Sequence, residues 1–153
     1  MLQRIQTIYL LIIFALEVAL LFLPIATIQA GTDFFSFNVL GLTQMGAKET
    51  MAYSTLGLTA LTLASAILAL VTIFKYKKRL VQIRLSVINM FLLVGFYVLF
   101  AVFAWITYGK FNGTHFGIEV ALAFPFVNII LTYLAIGKIG ADEALVRSLD
   151  RLR

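Results

Sequence analysis

Lys75-Tyr76-Lys77-Lys78-Arg79-Leu80-Val81-Gln82-Ile83-Arg84 places five cations within ten residues of an otherwise apolar chain. Apolar runs flank it, Met51 to Phe74 before it and Leu85 to Tyr108 after it. About 20 helical residues at ~1.5 Å each cross a hydrocarbon core of ~30 Å, so each run is long enough to span a bilayer. A basic loop between two spans stays on the cytoplasmic side, and this one orients every other segment. Lys75, Lys77, Lys78, Arg79 and Arg84 are therefore expected to set the topology and to contact lipid headgroups.

Composition points the same way. The 153 residues are 62% hydrophobic and only 12% charged, with a mean hydropathy of +1.02. Soluble domains average ~25% charged residues, and a chain this short has no interior that would hide so much apolar surface. A net charge of +5 raises the question of nucleic acid. The cations lie beside the spans, so anionic lipids are the expected partner and no nucleic acid is. There is no cysteine, one histidine and seven carboxylates, which leaves little for a metal site, and no cofactor is expected.

Outward from the loop, two more spans appear. The first runs from Thr7 to about Ile28 and is interrupted by Glu17 and Pro24. Its length exceeds the ~7–15 residues of a signal-peptide core, so it reads as a retained helix that ends or bends at Pro24. The last runs from about Ile118 to Ile136, with Pro125 expected to kink it and Gly137 to Gly140 to break it. The expected spans are thus 7–28, 51–74, 85–108 and 118–136 of a single membrane domain covering residues 1–153.

The second span carries small residues four apart, Ala60 with Ala64 and Ser65 with Ala69, a spacing that lets helices approach closely in lipid. Phe91, Trp105 and Tyr108 in the third suit lipid contact and an interfacial belt. On the outer side, residues 34–42 are rich in β-formers and read as an extended segment, pairing with residues 110–116. Asn112-Gly113 is a tight-turn signal whose flanks suit a very short hairpin. The expected fold is an up-down bundle of four transmembrane helices with a small extended or β extracytoplasmic cap.

Residues 141–153 read as a separate amphipathic helix on the cytoplasmic face. Leu145, Leu149 and Leu152 share a side, and Glu143 and Arg147 stand four apart. A helix this short is marginal alone in water, so these leucines, with Arg147, are expected to dock on a surface. Counting cations gives ten on the side of the basic loop (Arg4, the five loop residues, Lys138, Arg147, Arg151, Arg153) against Lys48 and Lys110 on the other. Both termini are therefore expected in the cytoplasm.

Polar residues inside the spans are the candidate functional positions, because a carboxyl in lipid is costly and has to face the bundle. Counted from the cytoplasmic ends, Glu17 lies ~15 Å deep, Asn128 ~12 Å and Ser65 ~13 Å. A buried polar cluster of Glu17, Ser65, Asn89 and Asn128 is expected.

The two ends of the chain carry a resemblance. Met1-Leu2-Gln3-Arg4-Ile5-Gln6 and Asp142-Glu143-Ala144-Leu145-Val146-Arg147-Ser148-Leu149-Asp150-Arg151-Leu152-Arg153 look like those of a domain-of-unknown-function family of small four-span bacterial inner-membrane proteins. Where that family carries lysine before the Asp-Glu pair, this chain has Ala141. The resemblance implies a bacterial inner-membrane location and no activity, substrate or cofactor.

No phosphate-binding glycine loop, His-Glu-x-x-His pattern or Gly-x-Ser-x-Gly motif is present, so an enzyme is not expected. The leading expectation is a structural or accessory subunit of a membrane complex, with lipids and other membrane proteins as partners. The alternative is a small proton, ion or ligand pathway built on Glu17.

Overall fold

A computed structural model describes residues 5–30, 33–45, 51–76, 78–110 and 115–150. Its long helices are α1 (Ile5–Phe22), α2 (Leu56–Phe74), α3 (Arg79–Lys110) and α4 (Phe124–Asp150), all long and apolar enough to cross a membrane. α1 and α3 each pack on both α2 and α4, which closes a four-helix ring. The strands are β1 (Pro24–Ala30), β2 (Asp33–Asn38), β3 (Gly41–Met45), β4 (Met51–Ser54) and β5 (His115–Ile118). They form one antiparallel sheet in the order β4-β3-β2-β1-β5. The sheet follows α1, precedes α2, follows α3 and precedes α4, so all four helices run up and down beneath it.

The bundle is apolar outside and carries a polar layer among the apolar side chains inside. Ile67, Phe91, Val98, Trp105 and Tyr133 point outward, whereas Glu17, Ser65, Asn89 and Asn128 are buried. Such an arrangement would be stable in lipid, where apolar side chains lose nothing by facing outward and polar ones need partners. The sheet end carries the main apolar core. Leu20, Leu58, Phe96 and Phe100 of the helices meet Ile25, Ile28, Phe37 and Val39 beneath the sheet, with Phe37 and Phe100 edge to face at 5.7 Å.

Several boundaries differ from those the sequence leads one to expect. α1 stops at Phe22, just before Pro24 as expected of a helix-ending proline, but the rest of the expected span, Pro24 to Ile28, lies in β1. Proline lacks a donor and is tolerated at the first residue of a strand. Residues 51–54 belong to β4, so the second span begins at Leu56. Residues 34–42 are not one extended segment. They turn at Val39 and Leu40 between β2 and β3, and β2 pairs with β1 and β3. It is β5, between α3 and α4, that pairs with β1. Lys110 ends α3, and the tight turn expected at Asn112-Gly113 lies outside the described residues.

α3 begins at Arg79, which puts Arg79 and Arg84 on the helix and shortens the basic loop. Pro125 is the second residue of α4 and kinks nothing, because the first helical turn needs no intrahelical N–H from it. Gly137 and Gly140 do not break α4, which continues to Asp150 as one helix of 27 residues. Tertiary packing of the preceding turns outweighs the ~1 kcal/mol that each helical glycine costs. The tail is therefore continuous with α4 as far as Asp150 and not a separate helix. Among the expected close-packing residues of α2, Ser65 and Ala69 face inward, but Ala60 and Ala64 face outward.

Candidate functional site

Each helix contributes one side chain to a polar layer inside the bundle. On α1, Gln6, Leu10, Ile13, Glu17 and Leu20 recur at helical spacing and are buried, so the stripe that packs α1 carries Glu17 inward. α4 supplies Asn128, fully buried, whose Nδ2 donates to Glu17 Oε1 at 2.8 Å and approaches the Ile13 carbonyl at 3.5 Å. α2 supplies Ser65, whose hydroxyl donates to Asn89 Oδ1 on α3 at 2.9 Å. The Ser65 hydroxyl also lies beside the Glu17 carboxyl. Glu17, Ser65, Asn89 and Asn128 thus come together from four helices at one depth.

Neighbours reinforce the layer. Thr132 donates to the Asn128 carbonyl at 2.7 Å. Tyr97 on α3 donates to the Leu122 carbonyl at 2.7 Å and faces the Phe126 N–H, which holds the start of α4. That start is the short 3-10 turn Val120–Ala123, entered from Glu119. Glu119 is far from Glu17, at the sheet edge, where its N–H donates to Ile25 and its carboxylate accepts from Thr27 at 3.3 Å. Among the described residues no three His, Cys, Asp or Glu side chains are grouped to hold a metal ion.

Sequence reasoning missed part of this interior. Gln82 and Ser86 are buried on the same face of α3 as Asn89, and their spacing of four and three residues is itself a helical stripe. The Gln82 amide donates to the Thr72 carbonyl of α2 at 2.9 Å. Gln6, on the α1 stripe, is buried as well. The signal was present, but a basic loop extended to Arg84 placed Gln82 outside the span.

At the basic end, Lys75, Lys78 and Arg84 are exposed, and Lys77 lies outside the described residues. Arg79 turns inward, donating to the Asp142 carbonyl at 2.8 Å with Glu143 at 4.0 Å. It ties the start of α3 to the far end of α4. Beyond it, Leu145 is 62% exposed and Val146 is also open. The side chains of Arg147 and Leu149, and the whole of Leu152, lie outside the described residues. On the outward face of the bundle, Leu11, Phe14, Val18, Leu70, Ile73 and Phe74 line an apolar groove of about 590 Å³ between α1 and α2.

Residues 2–152 match the family model described as Domain of unknown function (DUF4293). No curated protein matches the chain.

Proposed function

The chain belongs to the DUF4293 family, and from that premise we propose that it is a non-catalytic accessory subunit of a bacterial inner-membrane protein complex, with both termini cytoplasmic. The observation that carries the reading is the end of α4. Phe124 to Asp142 covers ~27 Å at 1.5 Å per residue, about the thickness of the hydrocarbon core. Beyond Asp142 the chain leaves the span as continuous helix, is clamped at its exit by Arg79, and presents Leu145 and Val146 to the outside. A helix held rigid at its base loses little entropy on docking, which favours a protein partner. The topology rests on the ten-to-two cation asymmetry.

The interior supports the same reading. The sheet end is closed by a packed apolar core and is not lined for passage of a solute. Co-purification after extraction from native membranes in mild detergent tests it. The expected result is a stoichiometric protein partner that Leu145→Ser releases, with the bundle still folded. Recovery as a partner-free monomer or homo-oligomer refutes it. Cysteine placed at the exposed positions 33 and 115 should react with an impermeant reagent from outside the cell, and cysteine at position 78 should not. The reverse pattern overturns the topology.

A further inference from the structure

We propose that the bundle holds a one-ended proton-binding site, in which Glu17 exchanges its proton through a polar ladder on α3 that opens toward the basic end and is sealed at the sheet end. The inward stripe of α3 reads Gln82, Ser86, Asn89, Leu93, Phe96, Phe100, all buried. It changes character halfway. The half toward the basic end is wholly polar, and the stretch from Leu93 to Phe100 toward the sheet is apolar, with Thr107 beyond it bonded back to the Phe103 carbonyl of its own helix. Glu17 sits at the level of the change, since it bonds to Asn128 and lies beside Ser65, the partner of Asn89.

Three polar atoms in this region have no hydrogen-bond partner although their residues are almost fully buried: Gln82 Oε1, Ser86 Oγ and Asn128 Oδ1. Native interiors rarely leave buried polar atoms unpaired, and polar sites with several such atoms hold water. The ladder descends from Asn89 to Ser86 by ~4.5 Å and to Gln82 by ~10 Å along the helix. That spacing suits proton transfer between successive hydrogen-bonded waters. It does not suit a hard cation, which needs about six oxygens converging on one point.

The charge balance also favours a proton. Glu17 is the one carboxyl or cation among the buried side chains described. The titratable group that the Glu17 charge reaches is the Tyr97 phenol on α3, while α2 and α4 present the neutral Ser65 and Asn128. A carboxylate in such surroundings is expensive unless its charge is met. In the loading step a hydronium ion gives its proton to a Glu17 carboxylate oxygen and leaves as water. In unloading a water of the ladder takes the proton back as hydronium. Because Leu20, Leu58, Leu93 and Phe96 close the other side, the proton leaves by the end at which it entered.

The test is infrared spectroscopy of the whole protein reconstituted in lipid bilayers. The carboxyl C=O band of Glu17 is the one that Glu17→Gln removes, and its shift in heavy water reports proton exchange. Gln82→Leu and Ser86→Ala should each slow that shift by roughly tenfold, because each removes a hydrogen-bonding group from the ladder. Thr62→Val, an equally buried change on the sheet side of Ser65, should leave it unchanged. If Gln82→Leu does not fold, Ser86→Ala, the smaller change, decides alone. Equal rates in wild type and Ser86→Ala overturn the proposal, as does slowing by Thr62→Val. Absence of a Glu17 carboxyl band, or a band that follows sodium concentration at fixed pH, overturns the proton assignment. Proton flux through proteoliposomes above that of protein-free vesicles overturns the sealed end.

Discussion

Replacing Asn128 by leucine tests whether the polar layer holds the bundle together. The side chain is fully buried and donates the 2.8 Å bond to Glu17 Oε1, so the change takes that donor from a carboxyl that is only 1% exposed and leaves it the Ser65 hydroxyl alone. Leaving a buried polar group without its partner costs ~1–3 kcal/mol. Hydrogen bonds between membrane helices are worth less, ~0.6 kcal/mol on average and ~1.7 at most, because the unfolded chain in lipid also finds partners. The pairwise coupling should lie in the lower range and the single-mutant loss in the upper. Leucine at both positions removes both halves of the bond. The double variant Glu17→Leu/Asn128→Leu should therefore be more stable than Asn128→Leu alone, by ~1 kcal/mol. Unfolding free energies in detergent micelles, measured for wild type, both singles and the double, complete the cycle. Additive losses would mean that Asn128 and Glu17 act independently and that the layer is not a unit.

Other perturbations probe the contacts around the layer and the cap. The Val39 carbonyl accepts from Thr55 at 2.7 Å and Thr59 at 2.8 Å, fastening the β2–β3 turn to α2. Thr55→Val should cost ~1 kcal/mol in thermal unfolding and loosen the sheet before the bundle. Gly117 faces Thr27 across β1 and β5, and a Cβ there would stand 2.8 Å from Thr27 Oγ1. Gly117→Ala should destabilise by ~1–3 kcal/mol, and Thr27→Ala should recover part of the loss in the same assay. Arg79→Ala should leave global stability within ~1 kcal/mol. It should nonetheless speed limited proteolysis after residue 142, since Arg79 clamps the exit of α4.

The spans and their order were legible because hydropathy over 20 residues is a long-range signal that local chemistry does not blur. Glu17 and Asn128 were legible as inward-facing for the same reason, a polar group in lipid having one direction that meets partners. The helix ends were not. Pro24, Pro125, Gly137 and Gly140 read as breakers, and α1 does end just before Pro24, yet both glycines lie inside α4 and Pro125 sits in its first turn. Whether a breaker breaks depends on its place relative to the first turn and on what the neighbouring turns bury. The cap was half legible. β-forming residues at 34–42 announced extended chain, but Pro24–Ala30 was masked by an apolar run that fits a helix equally well. Pairing partners depend on contacts distant in sequence, and no local pattern names β1 as the partner of β5.

A photoreactive amino acid at position 145 gives the most direct test of the accessory-subunit reading. In native membranes it should yield one discrete cross-linked species with another protein, and the same probe at position 91, outward in mid-span and 72% exposed, should yield only lipid adducts. Adducts at position 145 confined to lipid or to a second copy of this chain would contradict the account.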